Sequence, residues 1–337
     1  MAVRVSHWLW GSAPGARVAR IPLIPLAGAY WAVVRLRGAN ARSAVRLPLP
    51  AIAVGNLSVG GTGKTPLAAW IAAYCAAHDR RPGILLRGVG GDEPLVHRRL
   101  VPEAVVVANP DRVAGAAVAR AQGAQLLVLD DAYQLVRVAR DLNIVVVSAE
   151  SVAGSSWPLP AGPWRERWDA LARADVIVVS RKHAPPAAAG ALADTLGRRA
   201  PGVPVCVACL ALSHLEGMQS GTRRDLRALA GRPVVAAAGI ADPETFAAQL
   251  VATGAVVQLV AYQDHHAFTA GDVERLARAA ARGDYVVVTE KDAVKLRGRW
   301  PGHAPEPWVA VLAVRWERNG GALEQAVSDV LASTTAP

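Results

Sequence analysis

Short hydrophobic runs alternate with stretches of helical periodicity through most of the chain after residue 50. The runs "AIAVGN", "GILLRG", "AVVVAN", "QLLVLDD", "NIVVVSA" and "DVIVVSRK" are apolar at successive positions instead of at every second one. Strands have this composition when helices cover both faces of a parallel sheet. The pattern therefore predicts a three-layer α/β domain, with helices from about Pro66 to His78 and from Asp111.

The pattern changes near residues 204–231, where an extended run, "PVCVACLALSHLEG", leads into the polar turn "MQSGTRRD". Strand-like runs then resume between helices predicted after Pro243, from about Ala270 to Arg282 and from Gly321. A second, smaller α/β unit is the simplest interpretation. We predict three segments: an N-terminal membrane-associated arm at 1–45, a phosphate-loop (P-loop NTPase-like) parallel-sheet domain at 46–205 and a smaller α/β domain at 206–337.

The stretch "VGNLSVGGTGKTP", residues 54–66, joins the first predicted strand to the first predicted helix. Backbone N–H groups in such a turn converge on phosphate oxygens at the positive end of the helix. The generic phosphate loop has a glycine six residues before its lysine, whereas this chain has Ser58 there. The alternative is a glycine-rich turn with an accidental lysine. We predict that the nucleotide is bound by Ser58, Val59, Gly60, Gly61, Thr62, Gly63, Lys64 and Thr65.

Two aspartates, Asp130 and Asp131, end the hydrophobic run of "LLVLDDAYQ". A carboxylate at that edge of a sheet can hold Mg²⁺ facing the loop, although such residues also cap helices and turns. Lys64 would reach the β- and γ-phosphates, and the hydroxyl of Thr65 would bind the metal. The sequence therefore predicts a site for ATP and Mg²⁺, with Thr65, Asp130 and Asp131 at the metal.

The net charge of +10 is concentrated at the N-terminus. Residues 1–50 contain no acid and seven arginines, which are Arg4, Arg17, Arg20, Arg35, Arg37, Arg42 and Arg46. The remainder holds 30 Lys and Arg (37 minus 7) against 27 Asp and Glu, or +3. This distribution argues against nucleic acid as a partner and favours an anionic membrane surface.

An apolar stretch, "IPLIPLAGAYWAVV", lies between Arg20 and Arg35. It is shorter than the roughly 20 residues that span a bilayer, so we expect it to lie on the membrane as an interfacial anchor. A secretory signal is disfavoured because an ATP site would be useless outside the cytosol, and no clear cleavage site follows. A helix buried against the domain remains the alternative.

Cysteine and lysine usage add two smaller clues. Cys75, Cys206 and Cys209 are too few for a disulfide framework, and the C-x-x-C of the last two is better explained as core thiols than as a metal or redox site. Only four of the 37 basic residues are lysines: Lys64, Lys182, Lys291 and Lys295. We infer that lysine survives preferentially where a compact ammonium is needed instead of a planar guanidinium.

Eight motifs run in order from about residue 25 to 297: "VGNLSVGGTGKTP", "LLRG", "GDEP", "LDDAYQLVRVARDLNIVVV", "LPAGPWRE", "GIADPETF", "YQDHHAFT" and "TEKDAVKL". Together they resemble the tetraacyldisaccharide 4′-kinase family, which phosphorylates a glycolipid of the lipid A pathway. The family's loop carries Ser or Thr where Ser58 stands. The chain departs from the family in a shortened segment before "GDEP", with Val89 for a tyrosine, and in Ala132 and Tyr133 for Gly and Phe.

The resemblance implies roles for further residues. Asp92 of "GDEP" matches the family's proposed base, His265 forms a dyad with it, and Asp264 orients the histidine; with Lys64 these are the catalytic candidates. The dyad would join the two predicted domains and suggests closure between them. A second tier, expected to contact substrate or organise the site, comprises Glu93, Arg112, Gln134, Glu166 and Lys291. For Lys291 a structural salt bridge to Glu290 or Asp292 is an equal alternative.

The resemblance also implies the function. We expect ATP-dependent phosphoryl transfer to the 4′-hydroxyl of tetraacyldisaccharide 1-phosphate, forming lipid IVA, by a protein peripheral on the cytoplasmic face of the inner membrane. An ATPase switch that docks on membranes and binds partners is the alternative. Such switches carry an extra loop lysine where this chain has Val59, which argues against that alternative.

Overall fold

A computed structural model describes residues 8–11, 13–39, 44–88, 91–153 and 155–333 of the chain. Arg4, Arg42 and Val89, which entered the sequence analysis, lie outside the described residues. The chain packs into two compact units. The first unit comprises Met1–Gly88, Leu100–Cys209 and Arg315–Pro337, and the second comprises Val89–Arg99 and Leu210–Val314. The division at residues 45 and 205 stays a prediction.

The first unit is built on a parallel sheet. Its strands are β1 Ala51–Asn56, β2 Pro82–Leu86, β3 Val105–Ala108, β4 Leu126–Asp130, β5 Leu142–Ser148, β6 Val176–Arg181 and the first part of β7 Val205–Gly217. The strand order is β7-β6-β5-β1-β4-β2-β3, with parallel neighbours throughout. Every residue of β1, β2 and β4 is buried, as strands covered on both faces require.

The helices of the first unit include two that begin near the predicted residues Pro66 and Asp111, and one, beginning at Gly320, that was predicted in the second unit. They are α1 Pro14–Arg20, α2 Ile24–Ala39, α3 Lys64–Ala77, α5 Arg112–Ala121, α6 Pro186–Arg199 and α10 Gly320–Ser333. The side chain of Asp111 caps α5 by accepting hydrogen bonds from the backbone N–H groups of Val113 and Ala114.

The second unit has a smaller parallel sheet of strand order β10-β9-β11-β12. Its strands are the later part of β7, β8 Arg223–Arg224, β9 Pro233–Ala238, β10 Val256–Ala261, β11 Tyr285–Thr289 and the first part of β12 Trp308–Arg318. Its helices are α4 Glu93–Leu100, α7 Pro243–Val251, α8 Ala270–Ala281 and α9 Glu290–Leu296. Two helices, α4 and α9, were not predicted, and both carry residues of the candidate site. The predicted fold class, an α/β chain with a mostly parallel sheet, is confirmed.

The N-terminal helical segment is largely exposed. α1 and α2 are joined by a 3₁₀ turn at Ile21–Leu23, so helical structure continues through both prolines. Pro14–Leu36 is long and apolar enough to cross a membrane by length and composition, although that alone is weak evidence. Only 11% of its most apolar 18-residue stretch is buried. This exposure argues against the alternative of a helix buried on the domain. The segment's position on a membrane surface stays a prediction.

All three cysteines are free and buried. Burial raises the pKa of Cys75 to about 12 and that of Cys206 to about 11, so both remain protonated thiols at neutral pH.

Candidate active site

Glycine is required in the predicted phosphate loop only where the backbone turns left-handed. Gly60 has φ of 110° and Gly63, the N-cap of α3, has φ of 87°. Ser58 has no such conformation; it is buried and forms an antiparallel bridge with Trp164. The absence of a glycine at residue 58 therefore costs the loop nothing in its backbone.

Hydrogen bonds from two side-chain amides, those of Asn56 and Gln134, support the loop. Asn56 Nδ2 donates to Thr62 Oγ1 at 2.8 Å, and Gln134 Nε2 donates to the carbonyl of Asn56 at 2.7 Å. Gln134 therefore acts on the loop through Asn56. The backbone N–H of Thr62 donates to Gly60 O at 2.9 Å, so in this arrangement it does not point outward as the sequence analysis expected.

Lys64 opens α3 and pairs with an aspartate at the end of β4. Its Nζ lies 2.8 Å from Asp131 Oδ1, and Arg165 Nη1 lies at the same distance from that oxygen. Burial would raise the pKa of Asp131, but the charges of Lys64 and Arg165 outweigh it and lower the pKa. The predicted loop lysine and the predicted aspartate are thus brought together, with Arg165 as a partner that was not predicted.

The predicted metal ligands offer only hard oxygen donors. Asp130 is buried at the carboxyl end of β4 and Thr65 lies in the first turn of α3. Two carboxylates and a hydroxyl are the donor chemistry that suits Mg²⁺, which also keeps waters and phosphate oxygens as ligands. Within the described residues, no group of three or more His, Cys, Asp or Glu side chains is placed to hold a metal ion. The set fits a metal bound together with nucleotide.

Arg112 lies buried at the start of α5. Its guanidinium donates to the carbonyl of Asn109. Burial lowers its pKa, while the negative charges of Asp130 and Asp131 act in the opposite direction. Arg112 therefore balances the two aspartates electrostatically, which fits a site-organising role.

A lysine that the motifs did not assign lies against the loop. A Cβ added to Gly61 would stand 3.3 Å from Lys182 Nζ. The turn after β6 that carries Lys182 is held by Glu150, whose Oε1 accepts from the backbone N–H groups of residues 182, 183 and 184. Ser180 Oγ, in β6, donates to Thr62 O at 2.7 Å. The scarcity of lysine was the signal that could have identified Lys182.

Glu166 is buried at a cavity beside α2. It accepts from Arg173 Nη2 at 2.7 Å. The cavity has a volume of about 280 Å³ and is also lined by Trp31, Arg35 and Arg167, and both guanidinium groups lie over the Trp31 ring.

In the second unit, Asp92 and His265 form a hydrogen-bonded pair. His265 Nδ1 lies 3.0 Å from Asp92 Oδ1 and 3.1 Å from Oδ2. Asp92 is buried at the start of α4, whereas the side chain of His265 is 39% exposed. The dyad was expected to join two domains, whereas both residues belong to one unit because the chain leaves the first unit after Gly88.

Two further lysines face this pair. Lys295 Nζ lies 3.3 Å from Asp92 Oδ2, and Lys291 Nζ lies 3.9 Å from Glu93 Oε1. Lys291 thus faces Glu93, not the Glu290 or Asp292 that the sequence analysis considered. Burial would raise the pKa of Asp92, but the charges of Lys295, His265 and Lys291 outweigh it and lower the pKa.

Asp264 contacts the histidine chiefly through the backbone. Its Oδ1 accepts from the backbone N–H of His265 at 3.1 Å, whereas its Oδ2 lies 3.9 Å from Nε2. His265 has φ of 60°, a conformation that non-glycine residues rarely adopt and that requires support from their surroundings. Asp264 therefore helps to fix the turn that presents the imidazole.

Comparison with known proteins decides the family. The tetraacyldisaccharide-1-P 4′-kinase family matches residues 19–91 and 89–332. The chain belongs to this family. A tetraacyldisaccharide 4′-kinase from Anaeromyxobacter dehalogenans is 40% identical over 85% of this chain and 84% of its own, and one from Pelobacter propionicus is 35% identical over 82% and 83%. The resemblance found in the sequence is confirmed.

A solved structure of the family has the same fold. The crystal structure of LpxK from Aquifex aeolicus in complex with ATP superposes with a TM-score of 0.73 and 26% identity, over 93% of this chain and 99% of that one. Membership of a kinase family does not favour the ATPase-switch alternative.

Proposed function

We propose that this kinase transfers the γ-phosphoryl group of ATP to the 4′-hydroxyl of tetraacyldisaccharide 1-phosphate. The relatives' name gives the acceptor, and the Asp92–His265 pair is the observation that carries the chemistry. A sugar hydroxyl is a poor nucleophile and needs a base that takes its proton as it attacks.

We propose that His265 takes that proton. Because a carboxylate only accepts, the imidazole Nδ1 carries a hydrogen and donates it to Asp92, which leaves Nε2 as the basic nitrogen. Nε2 takes the proton while the hydroxyl oxygen forms its bond to the γ-phosphorus and the bond to the leaving ADP oxygen breaks. The lowered pKa of Asp92 keeps its carboxylate ionised, so in this proposal the residue that the resemblance implied as the base stabilises the imidazolium.

The first unit would bind the nucleotide. The loop amides and Lys64 hold the β- and γ-phosphates, which requires Lys64 to exchange Asp131 for phosphate oxygens. Lys182 adds a second ammonium beside Gly61. Thr65, Asp130 and Asp131 would hold Mg²⁺, which when bound neutralises charge that develops on the transferred group.

We further propose that the protein works at the cytoplasmic face of the inner membrane, with its N-terminal helical segment on the lipid surface. Ile21, Leu26 and Leu36 are each more than half exposed, and exposed apolar side chains on a basic helix favour the lipid interface. A glycolipid acceptor with four acyl chains would be met there.

The test is transfer of label from [γ-³²P]ATP to the acceptor in mixed micelles with saturating Mg²⁺. We expect label in the lipid with the native chain, none with Lys64→Met, and none with an acceptor that lacks the 4′-hydroxyl. Labelling of that deoxy acceptor would place the phosphate elsewhere. Release of inorganic phosphate without lipid, together with concentration-dependent dimerisation, would favour the ATPase switch instead.

A further inference from the structure

A buried carboxylate, Asp292, stands behind the Asp92–His265 pair. It lies in the first turn of α9 and is fully buried. Its Oδ2 accepts from Thr289 Oγ1 at 2.6 Å and from the backbone N–H of Gly239 at 3.0 Å. A buried ion is retained only where such contacts compensate its lost hydration, so this carboxylate has a fixed position.

One turn along α9, Lys295 bridges two carboxylates. Its Nζ lies 3.4 Å from Asp292 Oδ1 and 3.3 Å from Asp92 Oδ2, and its side chain is only 12% exposed. Since both acids are more buried than the lysine, the ammonium is held between them. Asp292 is thereby linked to Asp92 through the side chain of Lys295.

Asp292 is linked to His265 through the backbone of Gly239. Gly239, whose N–H binds Asp292, accepts through its carbonyl from the N–H of His265 at 3.1 Å. A Cβ at Gly239 would stand 3.0 Å from Asp292 Oδ1 and 3.2 Å from His266 Cβ, closer than most side chains tolerate. Because of this close approach, the turn after β9 packs against Asp292. The backbone of His265, which has a left-handed conformation, is hydrogen-bonded to that turn.

We propose that Asp292 and Lys295 are positioning residues that hold both members of the Asp92–His265 pair for proton transfer. Asp292 anchors Lys295, which fixes the Asp92 carboxylate, and it anchors Gly239, which fixes the His265 backbone. The inference rests on the proposed function, because it concerns the same proton transfer.

The charges around Asp92 predict how the pair responds to pH. Asp92 faces Lys295 and Lys291 of α9 and His265 of the turn after β10. Close behind these lie Asp292, which faces Lys295, Glu93, which faces Lys291, and Asp264, which faces His265. An ammonium lowers the pKa of a neighbouring carboxyl, so removing Lys295 raises the pKa of Asp92 and protonates it at higher pH.

The decisive experiment measures kcat/KM for lipid phosphorylation against pH in Lys295→Met. We expect about a tenfold to hundredfold loss at neutral pH, within the whole contribution of a general base, about 10²- to 10⁴-fold. The acidic limb of the profile of kcat/KM against pH should move to higher pH, while KM for ATP stays unchanged. Lys295→Arg retains the charge and should keep the limb in place. An unmoved limb in Lys295→Met would overturn the proposal, because a purely structural defect lowers activity equally at all pH values.

Two further variants complete the test. Arg278→Met removes an exposed positive charge from α8 of the same unit and should leave the profile unchanged. Asp292→Asn keeps an acceptor for Gly239 but loses the charge that anchors Lys295, so we expect about a tenfold lower kcat; full activity would contradict the anchoring role. If the native chain labels no lipid, the proposed function itself fails; if it labels lipid and Lys295→Met matches it, only this inference fails.

Discussion

Lysine is scarce in this chain, and all four lysines lie at the residues proposed for chemistry. Their neighbours, in chain order, are Asp131, Gly61, Glu93 and Asp92. An ammonium is compact and can approach one oxygen closely, whereas a guanidinium needs a planar, two-pronged partner. The scarcity of lysine therefore points to two positions at the proposed site that received no role in the sequence analysis, Lys182 and Lys295.

At Glu150, the hydrogen bonds that hold the Lys182 turn should be visible as pH-dependent stability. Burial would raise its pKa, but hydrogen bonds from the Lys182 and Ala184 N–H groups and from Ser148 lower it to about 2. A lowered folded-state pKa gives stability that is present above the unfolded value of about 4.3 and is lost as pH falls towards about 2. Glu150→Gln should therefore cost about 1–3 kcal/mol at pH 7, at about 1.4 kcal/mol per pKa unit.

Urea unfolding at pH 7 and pH 3 measures this difference, which should shrink at the lower pH. Glu103→Gln, which alters an exposed carboxyl of the same unit, is the control and should change stability by less than about 0.5 kcal/mol. Equal stability of Glu150→Gln and the native chain at pH 7 would contradict the prediction. If the turn positions Lys182, Glu150→Gln should also raise KM for ATP.

The contribution of Glu290 to stability is expected to change with pH in the opposite direction to that of Glu150. Burial raises its pKa to about 7, although the charge of Arg99 and the N–H of Leu312 oppose the rise. Between about pH 4.5 and 7 the folded chain then holds a proton that the unfolded chain has lost, so stability falls as pH rises. Glu290→Gln removes that loss and should raise the melting temperature relative to the native chain more at pH 8 than at pH 5. The same difference at both pH values would show that Glu290 titrates normally.

At the scale of elements, the hydrophobic pattern predicted the buried strands and the longer helices well and missed two short helices. The helix predicted from about Ala270 to Arg282 is α8 Ala270–Ala281, and the runs read as buried strands are strands. α4 and α9 have eight and seven residues, too few for a period to emerge. Lys291 therefore lies in the first turn of a helix, where the sequence suggested only a strand end.

The candidate site was predicted as a set of residues and not as a set of contacts. The phosphate loop and the end of a hydrophobic run named Lys64 and Asp131, and the family resemblance named Asp92 and His265. The contacts of Lys295 with Asp92 and of Arg165 with Asp131 depend on how distant elements pack, which no local pattern encodes.

β1 approaches the segment after β4 closely, and this approach predicts how a substitution in β1 affects stability. A Cβ at Gly55 would stand 2.6 Å from both Cβ and N of Tyr133, and Tyr133 is itself buried. Gly55→Ala must therefore displace the strand that leads into the phosphate loop, at a cost of about 1–3 kcal/mol. Gly190→Ala in α6 meets no atom within 4 Å and should instead stabilise by about 0.5–1 kcal/mol. Chemical denaturation of both variants measures the contrast, and equal effects would contradict it.

At the scale of the whole molecule, the distribution of charge supports the proposed binding to a membrane surface. Seven arginines and no acid lie in residues 1–50, against an excess of +3 in the remainder. The same segment presents exposed Ile21, Leu26 and Leu36 on a helix that is mostly unburied. Basic and apolar side chains together favour an anionic lipid surface more than either does alone.

Vesicle binding tests this arrangement, with Leu26→Asp/Leu36→Asp as the altered chain and Val251→Asp, an exposed valine of the second unit, as control. Binding of the native chain should rise with the fraction of phosphatidylglycerol in phosphatidylcholine vesicles and weaken with salt, because the Debye length falls from about 10 Å at 0.1 M to about 3 Å at 1 M. The double variant should bind at least about tenfold more weakly, since burial of each leucine contributes about 1.5–3 kcal/mol. A helix on the surface is released by alkaline carbonate, whereas a spanning helix is not. Salt-independent binding that resists carbonate would show that Pro14–Leu36 crosses the bilayer, and the interfacial arrangement would then be wrong.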